Sequence, residues 1–151
     1  MSGMDADIFE AFIEQLQRYV RERLIPAEKQ ILETDIIPED ILTEMRDMGL
    51  FGLTIPEDFG GAGMNISQYV RTIRELSYAM PCFRSIISIN IGMVCSALKN
   101  GGTAEQKAEW LPRLAAGDIA SFGLTEPGSG SDSAGMQTMA TRKGNGYVLN
   151  G

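Results

Sequence analysis

The spacing of the hydrophobic residues changes once along the chain, near residue 118, and this change constrains the fold more than any other feature. Before it, apolar residues recur every three to four positions, as in amphipathic helices. After it, short apolar segments alternate with polar positions and turn residues, as in strands. The sequence therefore predicts a mainly α chain, with an all-helical domain over residues 1–118 and the first strands of a truncated β domain over residues 119–151.

The helical part is predicted to contain five helices. Pro26 should end or kink the first helix, because proline lacks an N–H and clashes with the preceding turn. The third helix should turn Val70 and Leu76 inward, and the fourth, which is apolar around most of its circumference, should be central. Thr103 and Gln106 form the pattern of a capping box at the start of the fifth. The predicted positions are residues 5–24, 38 to about 48, 67–79, 82–99, and 103 to before 117.

The β part begins with a predicted strand at Ile119–Thr125 and continues with two strands joined at Gly144-Asn145-Gly146. The dipeptide Asn150-Gly151 is itself typical of a hairpin turn, yet no residues follow it in this sequence. A lone hairpin is marginal in water, since it buries too little surface to offset its ordering. We therefore interpret the sequence as a fragment that ends within a sheet, with a flexible tail as the alternative.

Charge and composition argue against several classes of function. The chain carries 13 Lys and Arg against 20 Asp and Glu, a net charge of -7, so neither nucleic acid nor a membrane is an expected partner. No stretch is expected to span a bilayer, and the acidic N-terminus is unlike a signal peptide. With no histidine and only Cys82 and Cys95, which would point apart on one helix, neither a metal site nor a disulfide is predicted. Reduced thiols favour a cytoplasmic location.

The loop Ser121–Asp132, with the sequence SFGLTEPGSGSD, is the strongest candidate for a ligand site. Gly128 and Gly130 allow the backbone to turn sharply and to approach a ligand closely. Successive N–H groups and hydroxyls in such a turn bind anionic groups, but the loop has no lysine, unlike a P-loop. The loop therefore fits a large cofactor held by backbone and hydroxyl donors. A loop that only connects strands is the alternative.

One segment of this loop resembles a known family signature. GLTEPGSGSDSAG, residues 123–135, is similar to the first signature of the acyl-CoA dehydrogenase family, and IPEDFGGAG at residues 55–63 agrees with it. The resemblance implies an N-terminal helical domain, a middle β domain and a C-terminal four-helix domain, of which this chain would hold the first and the beginning of the second. It also implies that the full-length protein is an FAD-dependent acyl-CoA dehydrogenase.

The family's mechanism implies roles for residues of this loop. In the family, a carboxylate takes the α proton of an acyl-CoA thioester while the β hydrogen passes to FAD as hydride. That carboxylate lies in the C-terminal domain, so this chain is expected to contain no catalytic residue and to be inactive alone. By resemblance, Glu126 is a structural carboxylate that caps nearby N–H groups. The residues implied to bind the cofactor are Phe122, Gly123, Leu124 and Thr125 at the flavin and Gly130 and Ser131 at the diphosphate, with Ser131 also near the CoA chain.

Arg84 and Ser88 lie one helical turn apart in the most apolar predicted helix. A cation in such a helix needs a partner, so a structural ion pair or a side chain that extends to the surface is one interpretation. The other rests on resemblance: FRSIIS, residues 83–88, is similar to the glutaryl-CoA dehydrogenase branch, where an Arg and a Ser at this spacing hold the substrate's distal carboxylate. Bidentate pairing by arginine suits that role.

The resemblance further implies partners and a context for the full-length protein. These are an acyl-CoA substrate, an electron-transfer flavoprotein as acceptor, a homotetrameric assembly, and a place in fatty acid or amino acid catabolism. Two alternatives stay open. The first is an acyl-CoA oxidase or another flavoenzyme of the same fold, and the second is a non-catalytic helical module that binds a partner and no flavin.

Overall fold

The computed structural model describes residues 3–151, which form two compact units that divide after Ser121. The first unit is helical, and the second, Phe122–Gly151, contains a two-stranded sheet. The predicted fold class is therefore confirmed. The α-helices are α1 Ala6–Tyr19, α2 Ile25–Thr34, α3 Glu39–Asp47, α4 Ile66–Leu76, α5 Pro81–Ser88, α6 Ser96–Gly101 and α7 Ala104–Ala115. Two π-helical segments occupy Val20–Leu24 and Ile89–Cys95, and two short 3-10 turns occupy Glu57–Phe59 and Ser133–Gly135. The strands are β1 Met139–Lys143 and β2 Gly146–Asn150.

The first helix does not end at Pro26. The π-helical segment Val20–Leu24 precedes the proline and carries the chain directly into α2, which continues to Thr34. A proline has no N–H for the α-helical ladder and its ring crowds the carbonyl four residues earlier, so a wider turn before it lets the helix continue. Asp35, which follows, ends α2 in the left-handed conformation, with φ 54°.

The main core of the helical unit lies among helices α1 to α5 and the chain between them. Phe51 and Phe83 are fully buried there, and both are large enough to organise the packing around them. A second, smaller core surrounds Ile55 and includes Leu111 of α7. Together with the two phenylalanines, the main core contains Phe9, Ile13, Leu16, Val20, Leu24, Ile31, Ile41, Met45, Leu50, Leu76 and Ile87.

The predicted central helix is longer and less buried than its composition suggests. It runs continuously from Pro81 to Gly101, and these 21 residues are long and apolar enough, by length and composition, to cross a membrane. The expectation that no stretch reaches that length is therefore wrong. One row of the helix, which includes Phe83 and Ile87, lies in the main core, whereas Ile89 and Met93 are 40% and 49% exposed. The helix thus buries a single face rather than its whole circumference.

Helix α4 turns a different face to the core from the one that its apolar residues predict. Val70 is 57% exposed, and the buried positions include the polar Gln68 and Glu75. Both polar groups have partners: Gln68 binds the backbone N–H and carbonyl of Met4, and the Glu75 carboxylate accepts from the Gln17 amide. Buried polar groups are tolerated when they are hydrogen-bonded, so these contacts determine which face is inward.

The loop between α3 and α4 folds back on itself through backbone hydrogen bonds. The N–H of Gly63 donates to the Ile55 carbonyl at 2.9 Å, and the N–H of Gly61 donates to the Pro56 carbonyl at 3.2 Å. A Cβ at Gly61 would lie only 2.1 Å from the Ile55 oxygen, so the two backbone segments touch here. Gly60 has φ 79° and open space around it. The motif therefore needs one glycine for close contact and the other for backbone conformation.

The second unit contains a β-hairpin but lacks one predicted strand. Residues 119–125 have no regular secondary structure and pair with no described strand, so the strand prediction at Ile119–Thr125 is wrong here; a ladder requires a neighbouring strand, and residues 3–151 provide none. β1 and β2 pair antiparallel, with Lys143 opposite Gly146. Gly144 has φ 61° and Asn145 does not have a positive φ, as in a type II′ turn. The predicted hairpin is confirmed.

Candidate functional site

A tight turn at Glu126–Ser129 lies in the middle of the predicted cofactor loop. The N–H of Glu126 donates to the Ser129 carbonyl at 2.9 Å, and the N–H of Ser129 donates to the Glu126 carbonyl at 3.1 Å. The Ser129 hydroxyl is buried with its residue and donates to the backbone carbonyl of Asp132. These contacts use the polar groups of Glu126 and Ser129 within the turn, so neither backbone N–H is free to bind a ligand.

The Glu126 side chain joins this turn to the start of the hairpin. Its two carboxylate oxygens accept from the N–H groups of Gln137 and Thr138, each at 2.8 Å. Hydrogen bonds from the Thr138 side chain and from these two N–H groups hold the pKa of Glu126 below its ordinary value of 4.5. Glu126 therefore has the structural capping role predicted for it, and it stays ionised near neutral pH.

The residues predicted to bind the flavin precede the turn in an exposed stretch without regular secondary structure. Phe122 and Leu124 are 46% and 41% exposed. Among the residues that the structure describes, nothing accepts a hydrogen bond from the N–H groups of Leu124 and Thr125. A Cβ at Gly123 would meet no atom within 4 Å, so a ligand has access to the backbone here. The stretch offers donors that a cofactor's electron-rich edge can use.

The residues predicted to bind the diphosphate follow the turn, and they too are exposed and have unpaired N–H groups. Gly130 and Ser131 are exposed, and their N–H groups also find no acceptor within residues 3–151. No atom lies within 4 Å of a Cβ built at Gly130. Exposed backbone donors with adjacent hydroxyls suit an anionic group, so the residues present fit the diphosphate of a dinucleotide cofactor. The individual roles of these residues stay predictions.

In the helical unit, Arg84 and Ser88 both lie on α5, one turn apart as predicted. Arg84 is half-buried, and no carboxylate of the described residues lies within ion-pairing distance of it, so its interpretation as a structural ion pair stays a prediction without a partner among these residues. Burial raises the pKa of Tyr69, and the positive charge of Arg84 offsets part of that effect, which places Arg84 on the side of α5 that faces Tyr69. The surface-extended and substrate-contact interpretations of Arg84 both stay predictions.

A cavity of about 460 Å³ lies between α4 and the Pro81–Gly101 helix. Its polar end is held by Lys99, whose ammonium donates to the backbone carbonyl and hydroxyl of Thr54 at 3.0 and 3.2 Å. Gly92 lines the cavity opposite Tyr69, and a Cβ there would lie 3.9 Å from the Tyr69 hydroxyl, an ordinary contact distance. The lining residues are Thr54, Met64, Asn65, Ile66, Tyr69, Ile91, Gly92, Ser96 and Lys99.

One polar residue near the predicted loop was missed by the sequence analysis. Asn90, in the π-helical segment Ile89–Cys95, is 1% exposed, and its Oδ1 accepts the N–H of Ala120 at 2.8 Å. Its Nδ2 has no hydrogen-bond partner within residues 3–151. The available signal was an asparagine between Ile89 and Ile91, an apolar position where an unpaired amide is costly.

Comparisons with known proteins identify the same family that the signature in the cofactor loop resembles. The sequence profile described as acyl-CoA dehydrogenase, N-terminal domain, matches residues 7–118. An acyl-CoA dehydrogenase from Bacillus subtilis (strain 168) is 35% identical over 134 residues, which cover 88% of this chain and 35% of that protein. The chain spans about a third of the length of the curated relatives that it matches.

Solved structures superpose on nearly all of the chain. A glutaryl-CoA dehydrogenase from Mycobacterium smegmatis in complex with FADH2 superposes with a TM-score of 0.85 and 37% identity, over 98% of this chain and 38% of that one. A structure described as an electron transferring flavoprotein of Acidaminococcus fermentans gives a TM-score of 0.88 with 28% identity, over 100% of this chain and 40% of that one.

Proposed function

The chain belongs to the acyl-CoA dehydrogenase family, and from this premise we propose that the full-length protein is an FAD-dependent acyl-CoA dehydrogenase that oxidises the α,β carbon–carbon bond of an acyl-CoA thioester. The observation that carries the proposal is the pair of exposed stretches on either side of the Glu126–Ser129 turn, whose backbone donors have no acceptor in residues 3–151. Those stretches coincide with the family's first signature.

In this proposal, the chain contributes binding and polarisation rather than proton transfer. The N–H groups of Leu124 and Thr125, with the Thr125 hydroxyl, bind the pyrimidine edge of the flavin. Donors at that edge stabilise the negative charge that develops there during the reaction. Gly130 and Ser131 bind the diphosphate, and Ser131 also contacts the CoA chain. When bound, FAD supplies the hydride acceptor that no side chain can provide.

The test uses the full-length protein and a matched pair of glycine variants. Gly130→Ala adds a methyl group where the structure leaves open space, so it should not perturb the fold, but it blocks close approach of a diphosphate. Gly146→Ala also enters open space and lies in β2, outside the binding stretches. We expect Gly130→Ala to weaken FAD binding about tenfold, a loss of roughly one charge-assisted hydrogen bond, and Gly146→Ala to leave it unchanged.

The readouts are the visible absorbance of bound flavin and its bleaching by acyl-CoA without oxygen. A colourless wild-type protein that FAD does not reconstitute would refute the proposal and favour the non-catalytic module. Preference for oxygen over an electron-transfer flavoprotein as the acceptor would instead identify an oxidase of the same fold. The named A. fermentans neighbour supports the flavoprotein acceptor.

We further propose that Arg84 and Ser88 bind the distal carboxylate of a dicarboxylic acyl-CoA such as glutaryl-CoA. Two observations support this: Arg84 is half-buried without a carboxylate partner among the described residues, and a glutaryl-CoA dehydrogenase superposes at 37% identity. Arg84→Lys keeps the charge but loses bidentate geometry, so kcat/KM for glutaryl-CoA should fall about tenfold or more while that for butyryl-CoA is unchanged. Good turnover of butyryl-CoA with none of glutaryl-CoA by the wild type would overturn the assignment.

The cellular context is part of the same proposal. We propose that the full-length protein works as a homotetramer in the cytoplasm, in fatty acid or amino acid catabolism. The two cysteines, Cys82 and Cys95, are free thiols, which agrees with a reducing compartment. Light scattering of the full-length protein after gel filtration measures the assembly state directly, and a monomer would refute the tetramer.

A further inference from the structure

Among residues 3–151, Asn90 has the only buried side-chain nitrogen or oxygen that lacks a hydrogen-bond partner. It lies in the π-helical segment Ile89–Cys95, where α5 widens before α6 begins. Such widened turns occur frequently at functional sites. A buried amide that has lost its water without gaining a partner lowers stability. The chain retains this costly donor on a buried face of the helix, where the other half of the amide has a partner.

The Asn90 carbonyl oxygen holds the chain at the point where it leaves the helical unit. Its Oδ1 accepts the N–H of Ala120 at 2.8 Å, across a sequence separation of 30 residues. The reversed amide would bring two N–H donors face to face, so this bond fixes the orientation and directs Nδ2 elsewhere. Ala120 also packs against the smaller core around Ile55. Ala120 is therefore fixed by both packing and a hydrogen bond.

Three residues, Ser121 to Gly123, separate Ala120 from the first of the donors proposed to bind flavin. Phe122 follows Ala120 after Ser121, and Leu124 and Thr125 come next. Their N–H groups have no acceptor within residues 3–151, so no backbone hydrogen bond of their own orders them. Donors bind a ligand more tightly when the backbone that holds them is already ordered, since less conformational entropy is then lost on binding. An anchor just before this stretch has that effect.

We propose that Asn90 is a positioning residue for flavin binding, which acts by fixing the backbone at Ala120 from which the stretch Phe122–Thr125 begins. The inference rests on the proposed FAD-binding function of that stretch. A side chain that served only to fill the helix interface could be replaced by leucine, which has a similar size, without any effect on FAD binding. A positioning residue could not, because leucine leaves the N–H of Ala120 without its acceptor. The two roles therefore predict different FAD affinities for the same substitution.

The experiment compares Asn90→Leu, Asn90→Asp and the control Cys95→Ala in the full-length protein. Asn90→Leu removes both polar groups, and Asn90→Asp keeps an acceptor for Ala120. Cys95→Ala alters the same π segment and the same small core without touching that bond. FAD affinity is measured by flavin fluorescence on the apoprotein, thermal stability by the unfolding midpoint of the apoprotein, and protection of Ala120 by hydrogen exchange of the peptide over residues 118–125.

We expect Asn90→Leu to bind FAD about tenfold more weakly, with faster exchange over residues 118–125. Its unfolding midpoint should stay close to that of the wild type, because removal of the unpaired Nδ2 offsets the loss of the hydrogen bond to Ala120. Asn90→Asp should keep FAD affinity within about threefold although its buried carboxyl lowers the midpoint, since the acceptor is retained. Cys95→Ala should lower the midpoint and leave both exchange and FAD affinity unchanged. If Asn90 had a purely structural role, FAD affinity would not fall in a variant whose unfolding midpoint is unchanged.

Wild-type affinity in Asn90→Leu would overturn the inference, whatever its exchange behaviour. If Asn90→Leu does not fold, Asn90→Ala replaces it, because it too removes the acceptor for Ala120: a tenfold loss of FAD affinity supports the inference, and wild-type affinity overturns it. A wild-type protein that binds no FAD refutes the proposed function and the role of Asn90 with it. A wild type that binds FAD, together with Asn90→Leu that binds equally well, refutes the role of Asn90 alone.

Discussion

Replacing Gly61 by alanine should destabilise the helical unit far more than replacing its neighbour Gly60. A Cβ at Gly61 would lie 2.1 Å from the carbonyl oxygen of Ile55 and 2.5 Å from its carbonyl carbon. Even the closest favourable carbon–oxygen contacts are about 3.3 Å, so the two backbone segments would have to separate by about 1 Å. At Gly60, with φ 79° and no atom within 4 Å, the methyl group meets nothing.

The magnitudes follow from these two environments. Opening the loop at Gly61 weakens the hydrogen bonds from Gly61 to Pro56 and from Gly63 to Ile55. With about 1 kcal/mol for each bond and about 1–3 kcal/mol for overpacking, Gly61→Ala should cost about 4 kcal/mol. Gly60→Ala requires only a left-handed alanine, which costs about 1–2 kcal/mol. The difference between the variants, about 2–3 kcal/mol, comes from contact rather than from backbone conformation.

Thermal unfolding followed by far-ultraviolet circular dichroism measures both costs. For a chain of this size, Tm falls by roughly 2–4 °C per kcal/mol, so we expect a fall of roughly 10 °C for Gly61→Ala and roughly 4 °C for Gly60→Ala. Gly60 is the matched control, since it is adjacent and loses the same glycine freedom in the unfolded chain. Equal shifts, or a larger shift at Gly60, would show that Gly61 does not touch the Ile55 carbonyl.

Three further substitutions test separate parts of the structure. Phe83→Ala, at a fully buried site, should cost about 3–5 kcal/mol in urea unfolding, and a cost below about 1 kcal/mol would contradict its place in the core. Thr103→Ala removes the hydroxyl that accepts the N–H of Gln106 at 3.2 Å and should cost about 1 kcal/mol, whereas Thr103→Ser should cost little. The pKa of Glu126 is lowered in the fold, so its capping contribution is complete above the ordinary value of 4.5 and is lost as pH falls through the lowered pKa. The Thr138 amide resonance should therefore titrate over that acidic range in the wild type and stay constant in Glu126→Gln; a wild-type resonance that does not move would refute the contact.

The elements that the sequence predicts well are those determined within a few residues. Thr103 and Gln106 form the expected capping box, because both partners lie in the first turn of one helix. The hairpin turn at Gly144 is equally local, since a two-residue loop with a positive φ selects glycine. In both cases the hydrogen-bond partner is close in sequence, so residue type alone carries the information.

The errors occur where a distant partner decides the outcome. Val70 faces outward because Gln68 and Glu75, on the other side of α4, form hydrogen bonds with the N-terminal part of the chain. A prediction that places every apolar residue of a helix in the core does not take such distant partners into account. The strand expected at Ile119–Thr125 lacks a neighbour among residues 3–151. The π-helical segments were not predicted either, because a helix with one wider turn has nearly the same hydrophobic spacing as a regular one.

The predictions about the candidate site also succeeded for local features and failed for distant contacts. Its cofactor residues were assigned by resemblance to a contiguous signature, and their exposure with unpaired donors fits that assignment. The structural role of Glu126 was predicted, but its partners at Gln137 and Thr138 were not. Asn90 was overlooked because its one partner, Ala120, lies 30 residues away on a segment that the helical pattern does not reach.

The hairpin β1–β2 also affects how this polypeptide behaves at high concentration. Both strands are exposed along their whole length, and neither has a further strand beside it among the described residues. Open edges with exposed apolar side chains such as Tyr147 and Leu149 are templates for strand addition between molecules. Samples of this polypeptide should therefore self-associate as concentration rises, and a charged residue introduced at Leu149 should raise its solubility limit.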